Sequence, residues 1–157
     1  MVSVTGKPST HRTAIAAGTV HFSNPTPLSL IRANAVKKGD VLSVSRIAGI
    51  MAAKKCPDLI PLCHPIALTH VGVTLTALDN GKYPFGGVDV EAKVECTGQT
   101  GVEMEALTGV MGAALSVVDM CKAVDKGMRV EGVRVVLKEG GRSGTWREEG
   151  WVSDAEE

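Results

Sequence analysis

The feature that most constrains this sequence is a long helical stretch in which residues 106–118 include no charged side chain. The apolar residues of the predicted helix 101–125 recur at helical spacing and form one stripe that must face a core: Leu107, Val110, Met111, Ala114, Val118 and Cys121. The back of the helix carries small residues: Gly109, Gly112, Ala113 and Ser116. A glycine inside a helix costs about 1 kcal/mol relative to alanine, so two on one face predict that another backbone approaches closely. We expect a subunit interface there, and hence an oligomer; in the alternative, a second layer of the same domain covers this face.

Both ends of this helix carry ionisable groups. Thr100 and Glu103 have the spacing of a capping box, in which each side chain satisfies a free backbone donor. Asp119 and Lys122 are three residues apart, so they lie on the same side and can touch. Lys122 falls at the edge of the apolar stripe, where partial desolvation lowers the pKa of an amine, while the carboxylate opposes that shift. The pair is a candidate proton-transfer couple, although an ordinary surface salt bridge is the commoner explanation of this spacing.

The order of predicted elements indicates the fold class. Strands alternate with helices in the order β-α-β-β-α-β, which is typical of a ferredoxin-like α+β domain with helices on one face of an antiparallel sheet. We expect this single domain to span residues 1–144, and residues 145–157 to form a flexible tail. The predicted segments are a strand at 11–22, helices from 26 to about 39 and at 41–54, a rigid loop at 59–65, strands at 67–78 and 87–97, the helix at 101–125 and a strand at 130–138.

Local signals place the two shorter helices and one turn. Thr26 can cap the first helix, with Pro27 at its first position, and Asp40 can cap the second. Asn80-Gly81 and Gly86-Gly87 mark the hairpin between the middle strands. The second helix has apolar residues at helical spacing: Val44, Ile47, Ala48 and Met51.

Composition narrows the class of protein. The chain has 157 residues with 44% hydrophobic residues, and 17 basic residues balance 17 acidic ones. A globular domain follows, while the balanced charge disfavours nucleic-acid binding and no run is apolar over the roughly 18 residues of a membrane span. Four irregularly spaced cysteines favour reduced thiols in an intracellular compartment, and a zinc site from Cys56, Cys63 and His64 would match no common ligand spacing. We therefore expect no metal, no cofactor, no nucleic-acid or membrane partner, and a cytoplasmic location, or the mitochondrial matrix if the chain is a eukaryotic domain.

Five segments read together resemble the cyclic pyranopterin monophosphate synthases, the molybdenum cofactor biosynthesis protein C family. They are KKGD (37–40), DLIPLCHP (58–65), TGVEMEALT (100–108), DMCKAV (119–124) and KEGGRSG (138–144). The resemblance implies a phosphorus-oxygen lyase that converts (8S)-3',8-cyclo-7,8-dihydroguanosine 5'-triphosphate to cyclic pyranopterin monophosphate and diphosphate. It also implies a ferredoxin-like subunit in a homohexamer, a trimer of dimers, with active sites at subunit interfaces.

The resemblance assigns roles to positions of this chain. The family's catalytic acid/base falls on Asp119, with Lys122 beside it, and the lysine of its KGD motif falls on Lys38. Two cations match the residues on the phosphate side, Arg12 and Lys138. The remaining positions contact substrate in the family: Leu62, Cys63, His64, Met104 and Glu105.

Two other functions stay open on the sequence alone. A non-catalytic oligomer could hold a nucleotide or pterin, and a purely structural oligomer would bind neither. Release of diphosphate from the cyclised substrate distinguishes an enzyme from the first, and a thermal shift with a GTP-like ligand distinguishes the second.

Overall fold

The computed structural model describes residues 1–79, 81 and 83–153, and its elements follow the predicted order. They are β1 (Thr10–His21), α1 (Thr26–Arg32), α2 (Val41–Lys54), α3 (Cys56–Leu59), β2 (Leu68–Leu78), β3 (Gly87–Gly98), α4 (Glu103–Cys121), β4 (Arg129–Glu139) and β5 (Trp146–Arg147).

The strands form one antiparallel sheet with the spatial order β2-β3-β1-β4-β5. The central pair runs from Thr10 opposite Gly98 to His21 opposite Gly87 without a register shift. The first four strands have the order of a ferredoxin-like sheet, and the helices α2 and α4 pack on it. This confirms the predicted α+β fold and places its four strands within a residue or two of the predicted limits.

The first helix is shorter than the sequence predicts. Thr26 is the first helical residue, its cap is Pro25, and the helix ends at Arg32 instead of near residues 37–39. Asn34 adopts a φ of 50°, a left-handed conformation that stops the helix. The segment after it therefore becomes a loop, and this loop carries Lys38.

The second helix begins as predicted. Its cap is Asp40, whose carboxylate accepts a hydrogen bond of 3.0 Å from the Ser43 N–H. The side that it buries, however, is not the predicted apolar stripe. Its buried residues are small or short: Val41, Ser45, Gly49 and Ala53.

The stripe of larger apolar residues on α2 faces outward. Val44, Ile47 and Met51 are 44%, 63% and 45% exposed. Close packing against α4 requires small side chains, so the larger apolar side chains lie on the opposite side of the helix.

Helix α4 is the central helix of the core, and α2 covers its glycine face. A Cβ added at Gly112 would lie 2.3 Å from the Cβ of Ala52, and one at Gly49 would lie 2.9 Å from the Gly109 carbonyl oxygen. The expected subunit interface on this face is therefore wrong, and the alternative of a second layer from the same chain is confirmed. The glycines allow α2 and α4 to approach each other closely, as was predicted from the unfavourable free energy of glycine inside a helix.

The core stripe of α4 is confirmed for Val110, Ala114 and Cys121, which are at most 1% exposed, whereas Met111 is 38% exposed. The helix starts at Glu103 with Val102 as its cap and no side-chain cap bond, so the predicted capping box is wrong. The Glu103 carboxylate folds over Gly101 instead.

By length and composition alone, α4 is long and apolar enough to cross a membrane, although the sequence analysis expected no segment of this kind. Half of its apolar window is buried inside the protein, as in the core helix of a globular fold. The contacts of α4 with α2 and with β1, β3 and β4 account for that burial.

For two regions, the hairpin and the C-terminal tail, the structure tests the predictions only in part. In the hairpin, Gly86 adopts a φ of 71° at the predicted turn, whereas Asn80 lies outside the described residues. In the tail, Trp146–Arg147 pairs with β4, and Ser153 donates a 2.7 Å hydrogen bond to Glu91. The predicted mobility of the tail concerns dynamics and stays a prediction, and residues 154–157 lie outside the described part of the chain.

Candidate active site

The three predicted catalytic side chains meet at the C-terminal end of α4. The Lys38 Nζ donates to Asp119 Oδ2 at 2.5 Å and to the Asp119 carbonyl at 3.1 Å. The Lys122 Nζ donates to Asp119 Oδ1 at 2.6 Å. Lys38 reaches this point because α1 ends early and its loop returns to α4. The structure thus joins one predicted pair and a residue 81 positions away in a single ionic cluster.

The cluster is open to solvent. The side chains of Lys38, Asp119 and Lys122 are 48%, 53% and 61% exposed, so the predicted desolvation of Lys122 is wrong for the single chain. Hydrogen bonds from Lys122 and then Lys38 lower the pKa of Asp119 to about 2. Asp119 is therefore a carboxylate at neutral pH that holds two ammonium groups 2.5–2.6 Å away.

A second group of predicted residues meets at the N-terminal end of α4. The proline-rich loop 60–65 and the first turn of α4 line one pocket of about 190 Å³. Within it, Glu105 is 3% exposed, although it is an acid. All five predicted substrate-contacting residues line this pocket: Leu62, Cys63, His64, Met104 and Glu105.

The environment of Glu105 is unlike that of Asp119. Burial raises the pKa of Glu105, and the nearby Glu103 raises it further, while its own backbone N–H and the Cys56 thiol oppose the shift. A carboxyl in this position can change its protonation state closer to neutral pH than an exposed one. It can act as a hydrogen-bond donor when neutral and as an acceptor when ionised.

The two predicted phosphate-side cations lie together in an adjoining cavity of about 450 Å³. Arg12 and Lys138 line it, together with Lys7 and Arg142, against one acid, Glu103. Four cations converging on one cavity form a site for a multiply charged anion. Thr100, Gly101 and Glu103 line both this cavity and the Glu105 pocket, so the two adjoin.

The glycine-rich loop 139–144 shapes this cationic cavity. Gly141 has a φ of 75°, and a Cβ added there would lie 2.1 Å from Nη1 of Arg12. The guanidinium therefore rests on the glycine backbone. Lys138 donates a short hydrogen bond to the Ser143 hydroxyl. Among the described residues, the Arg12 Nε and the Thr10 Oγ1 are buried without a hydrogen-bond partner.

The predicted site residues therefore form two groups at opposite ends of one helix. Met104 and Asp119 are 15 residues apart on α4, which corresponds to about 22 Å at 1.5 Å per residue. Within one chain, the structure brings the predicted catalytic residues together and the predicted substrate-contacting residues together, but it does not bring the two groups to each other.

Sequence reasoning missed Lys7, Gln99 and Ser143, which also line the cationic cavity. Ser143 lies within the glycine-rich KEGGRSG segment, so its place in the cavity could have been predicted from that segment. Lys7 and Gln99 carried no comparable signal, since their place depends on the contact between the N-terminal segment and the residue that follows β3. Gln99 donates to the Lys7 carbonyl at 3.1 Å, and this bond holds that segment in place.

Among the described residues, no group of three or more His, Cys, Asp or Glu side chains is arranged to hold a metal ion. All four cysteines are free thiols. The side chains that line these sites supply amines, guanidinium groups, carboxyls, a histidine and the Cys63 thiol.

The fold and the two sites define a class: a ferredoxin-like α+β protein with a cation-lined cavity at one end of α4 and an amine–carboxylate cluster at the other. The sequence profile of the MoaC family matches residues 1–141, and the chain belongs to this family. A cyclic pyranopterin monophosphate synthase from Chloroflexus aggregans is 53% identical over 95% of this chain and 87% of its own length. A protein with the same name from Thermomicrobium roseum is 52% identical over 95% of this chain and 87% of its own length. Another from Rhodospirillum rubrum is 54% identical over 93% of this chain and 85% of its own length.

Proposed function

We propose that this protein converts (8S)-3',8-cyclo-7,8-dihydroguanosine 5'-triphosphate to cyclic pyranopterin monophosphate and diphosphate, a step in molybdenum cofactor biosynthesis. The observation that carries the proposal is the hydrogen-bonded cluster of Lys38, Asp119 and Lys122, assembled from two distant segments. Family membership and relatives that bear the name of this activity support it.

The cationic cavity suits the triphosphate of this substrate. Arg12, Lys138, Lys7 and Arg142 offer positive charge to an anion, and the unpartnered Arg12 Nε offers a donor. In the phosphate step, a sugar hydroxyl oxygen bonds to the α-phosphorus while the bond to the bridging oxygen breaks. Diphosphate leaves with that electron pair, and cations stabilise its developing charge.

The ionic cluster supplies proton transfers. Opening and reclosing the purine ring moves protons to and from nitrogen and oxygen, as does removal of the proton from the attacking hydroxyl. Asp119 fixes the two amines of Lys38 and Lys122 within hydrogen-bonding distance of one carboxylate. Enclosure of the cluster by substrate and a second chain would desolvate these lysines and make their ammonium groups better proton donors.

We also propose that the active site is completed by a second copy of the chain, in an oligomer of the kind that the family resemblance implies. About 22 Å of α4 separates the proton-transfer cluster from the substrate pockets, which is too far for one small substrate to span. The C-terminal cluster of one protomer would then meet the N-terminal pockets of its neighbour.

The exposed apolar surface of the two packed helices supports this association. On α2, Val44, Ile47 and Met51 form an exposed stripe, and on α4, Met111 and Leu115 are 38% and 58% exposed. Exposed apolar surface of this kind is typical of a protein–protein contact. A hexamer is one closed arrangement that could bury it.

Turnover of the cyclised substrate tests the proposed activity. Purified protein should release one diphosphate per pyranopterin formed. GTP itself should not be converted, because it lacks the bond between the sugar and C8. Binding of the cyclised substrate without diphosphate release would instead support the non-catalytic binding module, and absence of binding would contradict both.

Mixed oligomers test the shared active site. Asp119→Ala and His64→Ala should each be inactive alone. After subunit exchange of equal amounts, activity should return to about a quarter of the wild-type level, since half of the random pairs are mixed and each restores one of two sites. A monomeric mass by light scattering, or no recovery after demonstrated exchange, would contradict the proposal.

A further inference from the structure

A buried carboxylate just after α4 has no part in the proposed reaction. Asp125 is 2% exposed although it is an acid, and it lies three residues after Lys122. Its Oδ2 accepts a hydrogen bond of 2.7 Å from the Ser23 N–H, and its Oδ1 accepts a short one from the Ser23 hydroxyl. Oδ1 also accepts from the Gly127 N–H at 2.9 Å. The carboxylate therefore ties together the segment after β1, the turn after α4 and the segment that enters β4.

The turn that carries Asp125 is itself fixed to the end of α4. The N–H groups of Val124 and Asp125 both donate to the Cys121 carbonyl, at 3.0 and 3.1 Å. The side-chain amide of Asn24 donates to the Val124 carbonyl at 3.0 Å, so the segment after β1 holds this turn a second time. Lys122 is the C-terminal cap of α4 and belongs to the same turn. An anchor on this turn therefore also fixes the backbone from which the Lys122 amine extends.

The chain that Asp125 holds at Ser23 leads to the other lysine of the cluster. From Ser23 the chain runs through α1 and the loop after it, and it returns to the end of α4 at Lys38. There the Lys38 Nζ donates to the Asp119 carboxylate at 2.5 Å and to the Asp119 carbonyl at 3.1 Å. Residues 23–38 are thus attached to the C-terminal end of α4 at both ends of the segment.

We propose that Asp125 is a positioning residue for the proton-transfer cluster: through Ser23 and its own turn, its carboxylate fixes the two segments from which the lysine amines reach Asp119. This inference rests on the proposed function, because it assumes that the cluster moves protons during the reaction. Proton transfer requires the amines to stand within hydrogen-bonding distance of their partners, and a displacement of about 1 Å can lower a rate by up to about 100-fold.

A carboxylate suits this position because it accepts hydrogen bonds and donates none. Burial raises the pKa of Asp125, but the hydrogen bonds from Ser23 and from the Gly127 N–H outweigh it, so the pKa lies below its usual value. An amide in its place would turn its NH2 group toward one of the two backbone N–H donors. Asp125→Asn therefore keeps the shape of the side chain but breaks its hydrogen bond to the backbone of Ser23 or of Gly127.

Steady-state kinetics of matched variants tests the role. Asp125→Asn and Ser23→Ala weaken the anchor, whereas Ser23→Thr keeps the hydroxyl. The controls are Glu91→Gln and Ser153→Ala, which disturb a second hydrogen bond between a serine and a buried carboxylate. Glu91 alternates with core residues of β3, so its side chain lies on the face of the sheet away from α4. Measurements are kcat and KM for the cyclised substrate, and thermal stability.

Asp125→Asn should lower kcat about tenfold and leave KM within about twofold, because the predicted substrate pockets lie at the other end of α4. Ser23→Ala should lower kcat about threefold, since it removes the hydroxyl donor and keeps the N–H donor. Ser23→Thr should retain the wild-type kcat. Glu91→Gln and Ser153→Ala should lower thermal stability comparably and leave kcat unchanged.

A folded Asp125→Asn enzyme with wild-type kcat would overturn the inference. Equal losses of kcat in the control variants would also overturn it, since lower stability would then explain the effect. If Asp125→Asn does not fold, the Ser23 variants decide, and equal kcat values for Ser23→Ala and wild type would count against the role. An inactive wild-type protein would contradict the proposed function instead, so the two failures are distinguishable.

Discussion

Glu105 and Asp119 are carboxylic acids on the same helix, and their environments move their proton affinities in opposite directions. Glu105 lies at the N-terminal end, is buried, and has a raised pKa. Asp119 lies near the C-terminal end, is half exposed, and has a pKa lowered to about 2 by two lysines. The helix thus carries one acid whose pKa is raised and one that is ionised throughout the physiological pH range.

The helix dipole alone would predict the reverse. The positive N-terminal end should favour an ionised Glu105, and the negative C-terminal end should disfavour an ionised Asp119, each by about 0.3–1 kcal/mol. Both pKa shifts run against the direction expected from the dipole, so burial at one end and two ammonium groups at the other outweigh it. Side-chain surroundings, and not position along the helix, therefore decide which acid can hold a proton.

The largest expected effect is at the C-terminal end. Asp119→Ala should lower kcat by about 10²–10⁴-fold, because it removes the group that fixes both amines, while the oligomeric mass stays unchanged. Diphosphate release measures the effect. Asp79→Ala, which breaks an exposed ion pair with Arg32, is the control and should keep wild-type activity. Near wild-type turnover by Asp119→Ala would remove the proton-transfer assignment.

The middle of the helix separates the two ends, and its close packing is testable. Gly112→Ala places a Cβ 2.3 Å from Ala52, so we expect the free energy of unfolding to fall by up to about 2 kcal/mol. Overpacking costs about 1–3 kcal/mol and the better helix former returns about 1. Urea denaturation measures it. Stabilisation by about 1 kcal/mol would mean that the face is open and not filled by α2.

At the N-terminal end, the cationic cavity depends on a glycine. Gly141→Ala would displace the Arg12 guanidinium and should raise KM about tenfold with little change in kcat, as expected for lost phosphate contacts. Gly144→Ala is the matched control, because Gly144 has a similar φ of 64° and nothing within 4 Å of an added Cβ. An equal rise in KM for both variants would attribute the effect to backbone strain in the loop.

The smallest effect compares the two acids directly through pH-dependent stability. Asp119 has a lowered pKa, so its contribution to the stability of the folded state is present above about pH 4 and is lost as pH falls toward about 2. Glu105 has a raised pKa, so it favours the folded state when protonated and penalises it as pH rises. Urea midpoints of Asp119→Asn and Glu105→Gln, each against wild type from pH 2.5 to 7, should therefore differ with opposite slopes. Parallel slopes would contradict the contrast between the two ends.

Much of the fold and of the site could be predicted from the sequence. Alternating strands and the Asp40 cap are local signals, and the structure confirms them. The i, i+3 spacing of Asp119 and Lys122 predicted their contact, and the resemblance added Lys38, which the structure brings to the same carboxylate. One of the wrong predictions concerned which partner covers a helical face.

Helix α2 illustrates that limit. Its spacing correctly predicted a helix with an apolar stripe at Val44, Ile47 and Met51, but not that Ser45, Gly49 and Ala53 would be the buried side. Periodicity shows that a helix has two unlike faces. Which of them contacts the neighbouring helix depends on how closely the two helix axes approach each other. Here the axes are so close that only small residues fit between them.

By itself, the sequence determined the elements, their order and the residue types available for chemistry, because hydrogen-bonding patterns and hydrophobic periodicity act over a few residues. Only the tertiary structure decided that the acid at one end of α4 is buried and the acid at the other lies between two lysines. It also separated the site into two halves. Burial and charge–charge contacts depend on residues far apart in the chain, so no local pattern encodes them.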